Sequence, residues 1–193
     1  MKFGGVPNPE LIDFTLPEDH PDTLRVLKTG SKPLETYVGC AKWNRGDLKG
    51  FYPRGTKDEF TYYSTQFNSI ELNATFYRIF APSVVEGWYN KTPDNFKFYP
   101  KVPQSISQFK RLKNCDDEVA LYLDSIAYLQ EKLGMVFLQM HPYFSYKDFE
   151  ALQNFITQWP KGIPLALEVR NKEWFLSLRK LPLLSLMMED IQN

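Results

Sequence analysis

A short apolar run followed by a polar stretch with helical periodicity recurs along this chain at intervals of roughly 30 residues, the length of a βαβ unit. The runs are Tyr37 to Ala41, Ser69 to Asn73, Phe96 to Lys101, Met135 to His141 and Leu165 to Arg170. Five strands are predicted, each followed by helix. No Asn-Gly hairpin signal stands between consecutive runs, so the strands are expected to run parallel. Thr56 to Glu59 and Ser83 to Glu86 have the spacing of a capping box and predict two helix starts there. Phe60, Tyr63 and Phe67 share one helical face. Asp116 to Leu133 carries a stripe of Val119, Tyr122, Leu123, Ile126, Ala127 and Leu129, with Gly134 expected as the residue past the helix end. Phe149, Leu152, Phe155, Ile156 and Trp159 form a further stripe ended by Pro160.

Residues 1–36, rich in Pro, Gly and acidic side chains and with one short helix around Asp22 to Lys28, are expected to be an N-terminal extension. Residues 37–193 form the domain. Only Cys40 and Cys115 occur, without Cys/His spacing suited to zinc, and no stretch of about 18 apolar residues is present. A soluble cytoplasmic protein that spans no membrane is expected. Lys and Arg total 23 against 23 Asp and Glu, and this balance argues against nucleic acid as a partner.

The first run continues Gly39-Cys40-Ala41-Lys42-Trp43-Asn44 and lacks G-x-G-x-x-G; no G-x-x-x-x-G-K-[ST] occurs either. No nucleotide cofactor is therefore implied. Strand side chains alternate between faces. Ile70 and Leu72 oppose Glu71 and Asn73; Val136, Leu138 and Met140 oppose Phe137, Gln139 and His141; Leu165, Leu167 and Val169 oppose Ala166, Glu168 and Arg170. One face is apolar, while the other turns polar toward the C-terminal end. A doubly wound sheet would be apolar on both. The pattern fits an α/β, TIM-barrel-like (β/α) parallel barrel, whose inward residues line a mouth at the C-terminal rim. That rim would gather Trp43, Glu71, Asn73, Lys101, Gln139, His141, Glu168 and Arg170, with Tyr77 and Arg78 on the loop after the second strand.

Trp43, Phe51-Tyr52-Pro53, the string Glu71-Leu72-Asn73-Ala74-Thr75-Phe76-Tyr77-Arg78, Thr92-Pro93, the Phe96 to Lys101 run, Gln139, and Glu168-Val169-Arg170 with Trp174 closely resemble the domain of unknown function 72 family, also called YecE-like. The likeness runs from about Tyr37 to Trp174. It implies a TIM-barrel-like fold with a polar rim pocket, and no assigned reaction. Members continue through further strands, so with about five βα units visible the barrel is expected to be incomplete, truncated at its C-terminus. Where members tend to have proline this chain has His141.

Glu71 and Glu168 could be a general acid and base with Lys101 beside them, acting on a small polar, anionic or sugar-like substrate. Asn73 and Gln139 would orient that substrate, and Arg78 and Arg170 would neutralise anionic charge. Trp43, Tyr52, Tyr77 and Trp174 would offer rings for stacking. The same groups could equally form a buried ion-pair lattice in a non-catalytic binding or scaffold protein. No metal site is expected, because no local ligand spacing supports one. Cys40 is expected on the helix-facing side and Cys115 at the surface or as a cap. The leucines and methionines between Leu176 and Met188 are more apolar than an exposed tail tolerates, which predicts either a homo-oligomer, such as a dimer, or an aggregation-prone, weakly stable monomer.

Overall fold

The computed structural model describes residues 8–174 except 14, 16, 17, 20 and 32. The apolar segment from Leu176 to Met188, and the association expected of it, lie outside the described residues. The chain divides into two compact units, 1–36 and 37–193. The first holds helix α1 (Pro21–Thr29).

Among the described residues of the second unit, five strands occur: β1 (Gly39–Cys40), β2 (Ser69–Leu72), β3 (Lys97–Pro100), β4 (Val136–Gln139) and β5 (Leu165–Glu168). The helices are α2 (Glu59–Gln66), α3 (Ala74–Tyr77), α4 (Pro82–Asn90), α5 (Asp116–Ile126) and α6 (Phe149–Gln158). All strand pairs are parallel: β1-β2-β3 form one sheet and β4-β5 another. Bridges Phe98↔Leu133 and Lys101↔Phe137 lead from the first to the second. Spatial order thus follows chain order without reversal, as in barrel winding and unlike a doubly wound sheet. The described strands do not close, and what they establish is an α/β fold with parallel strands.

Strand alternation places the core as expected. Ile70, Leu72, Phe96, Phe98, Val136, Leu138 and Met140 are buried beneath the helices, each side chain contributing roughly 1.5–3 kcal/mol of hydrophobic stabilisation. Phe60 and Tyr63 from α2 pack on this face edge-to-face with Phe96. In β5, by contrast, Leu167 is 36% exposed; among the described residues, no helix covers that strand as fully as the others.

Several local expectations are corrected. α2 begins two residues past the Thr56 box: Asp58 is the cap, accepting the Thr61 N–H at 3.0 Å, while the Thr56 hydroxyl donates to the Pro53 carbonyl. α4 starts on Pro82 after Ala81, with Ser83 inside the helix, because proline at the first position needs no donor. α5 passes at Ala127 into a 3₁₀ segment ending at Lys132, and Ala127 is exposed. Gly134 serves close approach: its N–H donates to Phe98 O at 2.8 Å, and a Cβ would lie 3.0 Å from that oxygen. Cys115 stands at the N-cap position of α5, without a side-chain cap bond, but it is buried in the core cluster rather than at the surface, with burial raising its thiol pKa. Cys40 packs against the same cluster. No helix among the described residues is long and apolar enough to cross a membrane.

Candidate functional site

The polar ends of β2 to β5 meet on the inner face. β2 stops at Leu72, and the Asn73 N–H turns back to the Glu71 carbonyl at 2.9 Å before α3 begins. Glu71 lies opposite Tyr99, Lys101 opposite Phe137, and Gln139 opposite Glu168. Lys101 is held through its backbone: the Thr75 hydroxyl accepts its N–H at 2.9 Å and lies 2.7 Å from its carbonyl. The Val102 N–H bonds Phe137 O.

The Lys101 ammonium donates to Asn73 Oδ1 at 3.3 Å and lies 3.8 Å from Glu71 Oε1. It also sits 5.2 Å from the ring centroids of Phe76 and Phe137. Only 8% of the residue is exposed. Burial pushes its pKa below the usual lysine value, with Glu71 and Glu168 pulling upward and Arg170 adding to the fall. Gln139 Nε2 donates to Glu168 Oε2 at 2.8 Å, and Arg170 Nε donates to Glu168 Oε1 at 2.6 Å. Burial opposes ionisation of Glu168, but these two hydrogen bonds and the charges of Arg170 and Lys101 outweigh it and hold its carboxyl below the usual range.

Beneath this cluster the inner face forms a cavity of about 400 Å³, lined by Tyr37, Ser69, Glu71, Tyr99, Phe137 and Ala166 among others. Glu71 belongs to both the cluster and the cavity.

Of the residues expected at the rim, Glu71, Asn73, Lys101, Gln139, Glu168 and Arg170 come together. Others do not. Trp43 packs on Phe60 and Trp88; β1 ends at Cys40, so strand alternation no longer governs its direction. Trp174 is 2% exposed, stacked on Phe144 and donating its indole N–H to Phe144 O at 2.8 Å. Tyr52 is also buried, its hydroxyl bonded to the Trp43 carbonyl. Arg78 lies over the Phe80 ring at 4.3 Å. Tyr77 is 70% exposed, which leaves its ring open to a ligand. His141 accepts the Tyr143 N–H through Nδ1, and burial followed by the Arg111 charge lowers its pKa.

Four residues of this region escape the polar-residue search. Phe76 and Phe137 flank the amine, Thr75 fixes its backbone, and Gln108 donates to Gln139 O at 2.6 Å. Phe137 shares the inward parity of Gln139 and could have been found by it; Gln108 lies in the short π-helical segment Ser105–Phe109, which no periodicity announces.

The sequence matches the profile of the family described as "Protein of unknown function DUF72" over residues 37–191. It is 30% identical over 142 residues to UPF0759 protein YecE of Escherichia coli strain K12, covering 72% of this chain and 50% of that one. It is 32% identical over 151 residues to UPF0759 protein YunF of Bacillus subtilis strain 168, covering 72% and 52%. The chain spans about half the length of these curated relatives. Among solved structures, a DUF72 family protein from Thermotoga maritima MSB8 superposes with a TM-score of 0.63 at 26% identity, covering 81% of this chain and 62% of that one. One from Enterococcus faecalis V583 gives 0.60 at 24%, covering 79% and 55%, a likeness of fold.

Proposed function

The chain belongs to the DUF72 family of proteins of unknown function, and we propose that its β2 to β5 strand ends form an acid/base site for a small polar substrate bearing carbonyl or hydroxyl groups. The observation that carries this reading is the buried Lys101 amine, 3.8 Å from the carboxylate of Glu71, a residue that also lines the cavity. A buried amine beside a partly solvated carboxylate at strand ends is an arrangement suited to proton transfer. Glu71 exchanges the proton. Glu168, fastened on both oxygens and held ionised, is a fixed negative charge that balances Arg170. Asn73 and Gln139 orient the substrate, and Tyr77 offers it a ring.

The rival is an ion-pair lattice, and stability separates the two. The Glu71 side chain is 42% exposed and its ion pair is long, so Glu71→Gln should cost less than about 1 kcal/mol. Small hydroxylated acids and sugar phosphates should then raise the melting temperature of the unmodified chain but not of Glu71→Gln. A loss of about 3 kcal/mol or more in that variant, with no ligand response in either protein, would make the cluster structural.

A further inference from the structure

Among the described residues two lysines are buried, and they are partnered very differently. Lys132, 3% exposed, donates to Thr92 O at 2.7 Å, Tyr89 O at 2.9 Å and Thr92 Oγ1 at 3.3 Å, and lies 4.1 Å from the Tyr89 centroid. Three donors meet three acceptors, which is what a structural ammonium in the interior requires. Lys101 is nearly as buried. Among the described residues its partners are one amide oxygen at 3.3 Å and one carboxylate at 3.8 Å, with two ring centroids at 5.2 Å. The second arrangement solvates an ammonium poorly and suits a neutral amine, in keeping with the direction in which burial moves its pKa. A neutral amine has a free lone pair, and an amine desolvated in an apolar pocket is an activated nucleophile toward carbonyl carbon.

We propose that Lys101 is an imine-forming amine that condenses with a small polar aldehyde or ketone, with Glu71 as its proton shuttle. This rests on the small-substrate reading of the same site. Nζ adds to the carbonyl carbon; the Glu71 carboxylate takes a proton from the attacking nitrogen and returns it to the carbinolamine oxygen. That hydroxyl departs as water after taking a second proton, drawn from solvent through Glu71, while the nitrogen lone pair forms the C=N bond of a protonated imine. One water is released, and no oxidant or reductant is needed. Asn73, within hydrogen-bond distance of Nζ, aims the lone pair. Phe76 and Phe137 keep bulk water from the nitrogen. Gln139 and Arg170 give the substrate's polar end donors, which favours carbonyl compounds that also carry a carboxylate or hydroxyls.

The test is reductive trapping on the full chain: glyoxylate with sodium cyanoborohydride near neutral pH, sampled over time, with each lysine's adduct measured by peptide mass spectrometry. Lys101 should react at least about tenfold faster than the median exposed lysine, because its apolar, sparsely partnered surroundings favour the unprotonated, nucleophilic form, and Lys132 should be among the slowest. The pH profile of Lys101 labelling should level off below that of the surface lysines. Glu71→Gln should slow Lys101 labelling at least about fivefold and leave the other lysines unchanged. Labelling of Lys101 no faster than Lys132, while glyoxylate still raises the melting temperature in a Glu71-dependent way, would overturn the imine and retain the site. No adduct at Lys101 and no ligand response, to glyoxylate or to the hydroxylated acids and sugar phosphates, would overturn both.

Discussion

Removing the Lys132 ammonium would take the donor from the Thr92 carbonyl just past the end of α4, while the Tyr89 carbonyl would keep the Thr92 hydroxyl at 3.0 Å. Lys132→Met should therefore cost about 1–3 kcal/mol, the desolvation penalty of a buried acceptor left unmade. Lys101→Met removes a charge whose partners do not depend on it in the same way. Glu71 is partly solvated, and Glu168 keeps Arg170 and Gln139. That substitution should cost less than about 1 kcal/mol or stabilise, as replacing buried charge by an apolar side chain often does. Urea unfolding of the two variants decides the matter. Equal losses would mean that Lys101, like Lys132, is there for the fold.

At the scale of elements, alternation carried the reading of β2 to β4, because one face of each lies under helices and a period of two is then enforced. The same rule located Glu71, Asn73, Lys101, Gln139 and Glu168. It failed where an element is too short to impose it. β1 has two strand residues, so nothing in the pattern aimed Trp43, and Trp174 lies beyond β5 and its stacking on Phe144 depends on tertiary packing. Helix starts failed differently: several side chains near each start could have capped, and only the folded chain selects one. Asp58 took the cap of α2 because it also reaches Lys91 Nζ at 2.7 Å. Asp58→Ala should cost about 1–2 kcal/mol and Thr56→Ala less than about 0.5 kcal/mol. The Lys91 and Thr61 hydrogen bonds lower the Asp58 pKa below its ordinary 3.8. Its stabilisation is thus present above that value and fades as pH falls through the lower, folded one. The gap between Asp58→Ala and the unmodified protein should close in strong acid; a gap that persisted there would mean that the carboxylate is not what caps the helix.

For the parallel unit as a whole, the ring-rich core makes the alkaline side the vulnerable one. Tyr63 joins α2 to two strands: its hydroxyl accepts the Cys40 N–H at 2.6 Å and donates to Ser69 O at 2.9 Å. Burial pushes its pKa up to about 12, and raises that of the fully buried Tyr122 well above 10. In the unfolded chain both ionise near 10. Above that pH the unfolded state sheds protons that the folded state keeps, so the contribution of these hydroxyls is whole below pH 10 and is lost as pH climbs toward 12. Lys101 works in the opposite sense over a lower range, since its folded pKa lies below 10.5: there the unfolded state holds the extra proton and stability rises with pH. The two effects predict a shallow gain on approaching pH 10 followed by a fall. Tyr63→Phe should cost about 1–3 kcal/mol at neutral pH by leaving the Cys40 N–H and Ser69 carbonyl unpaired. It should also reduce the alkaline fall, because one of the hydroxyls that drives it is gone. Urea midpoints from pH 7 to 11.5 for the unmodified protein, Tyr63→Phe and Lys101→Met separate the contributions. An alkaline fall unchanged in Tyr63→Phe would place the titrating group elsewhere in the core, and a gain before pH 10 that survives Lys101→Met would remove Lys101 as its source.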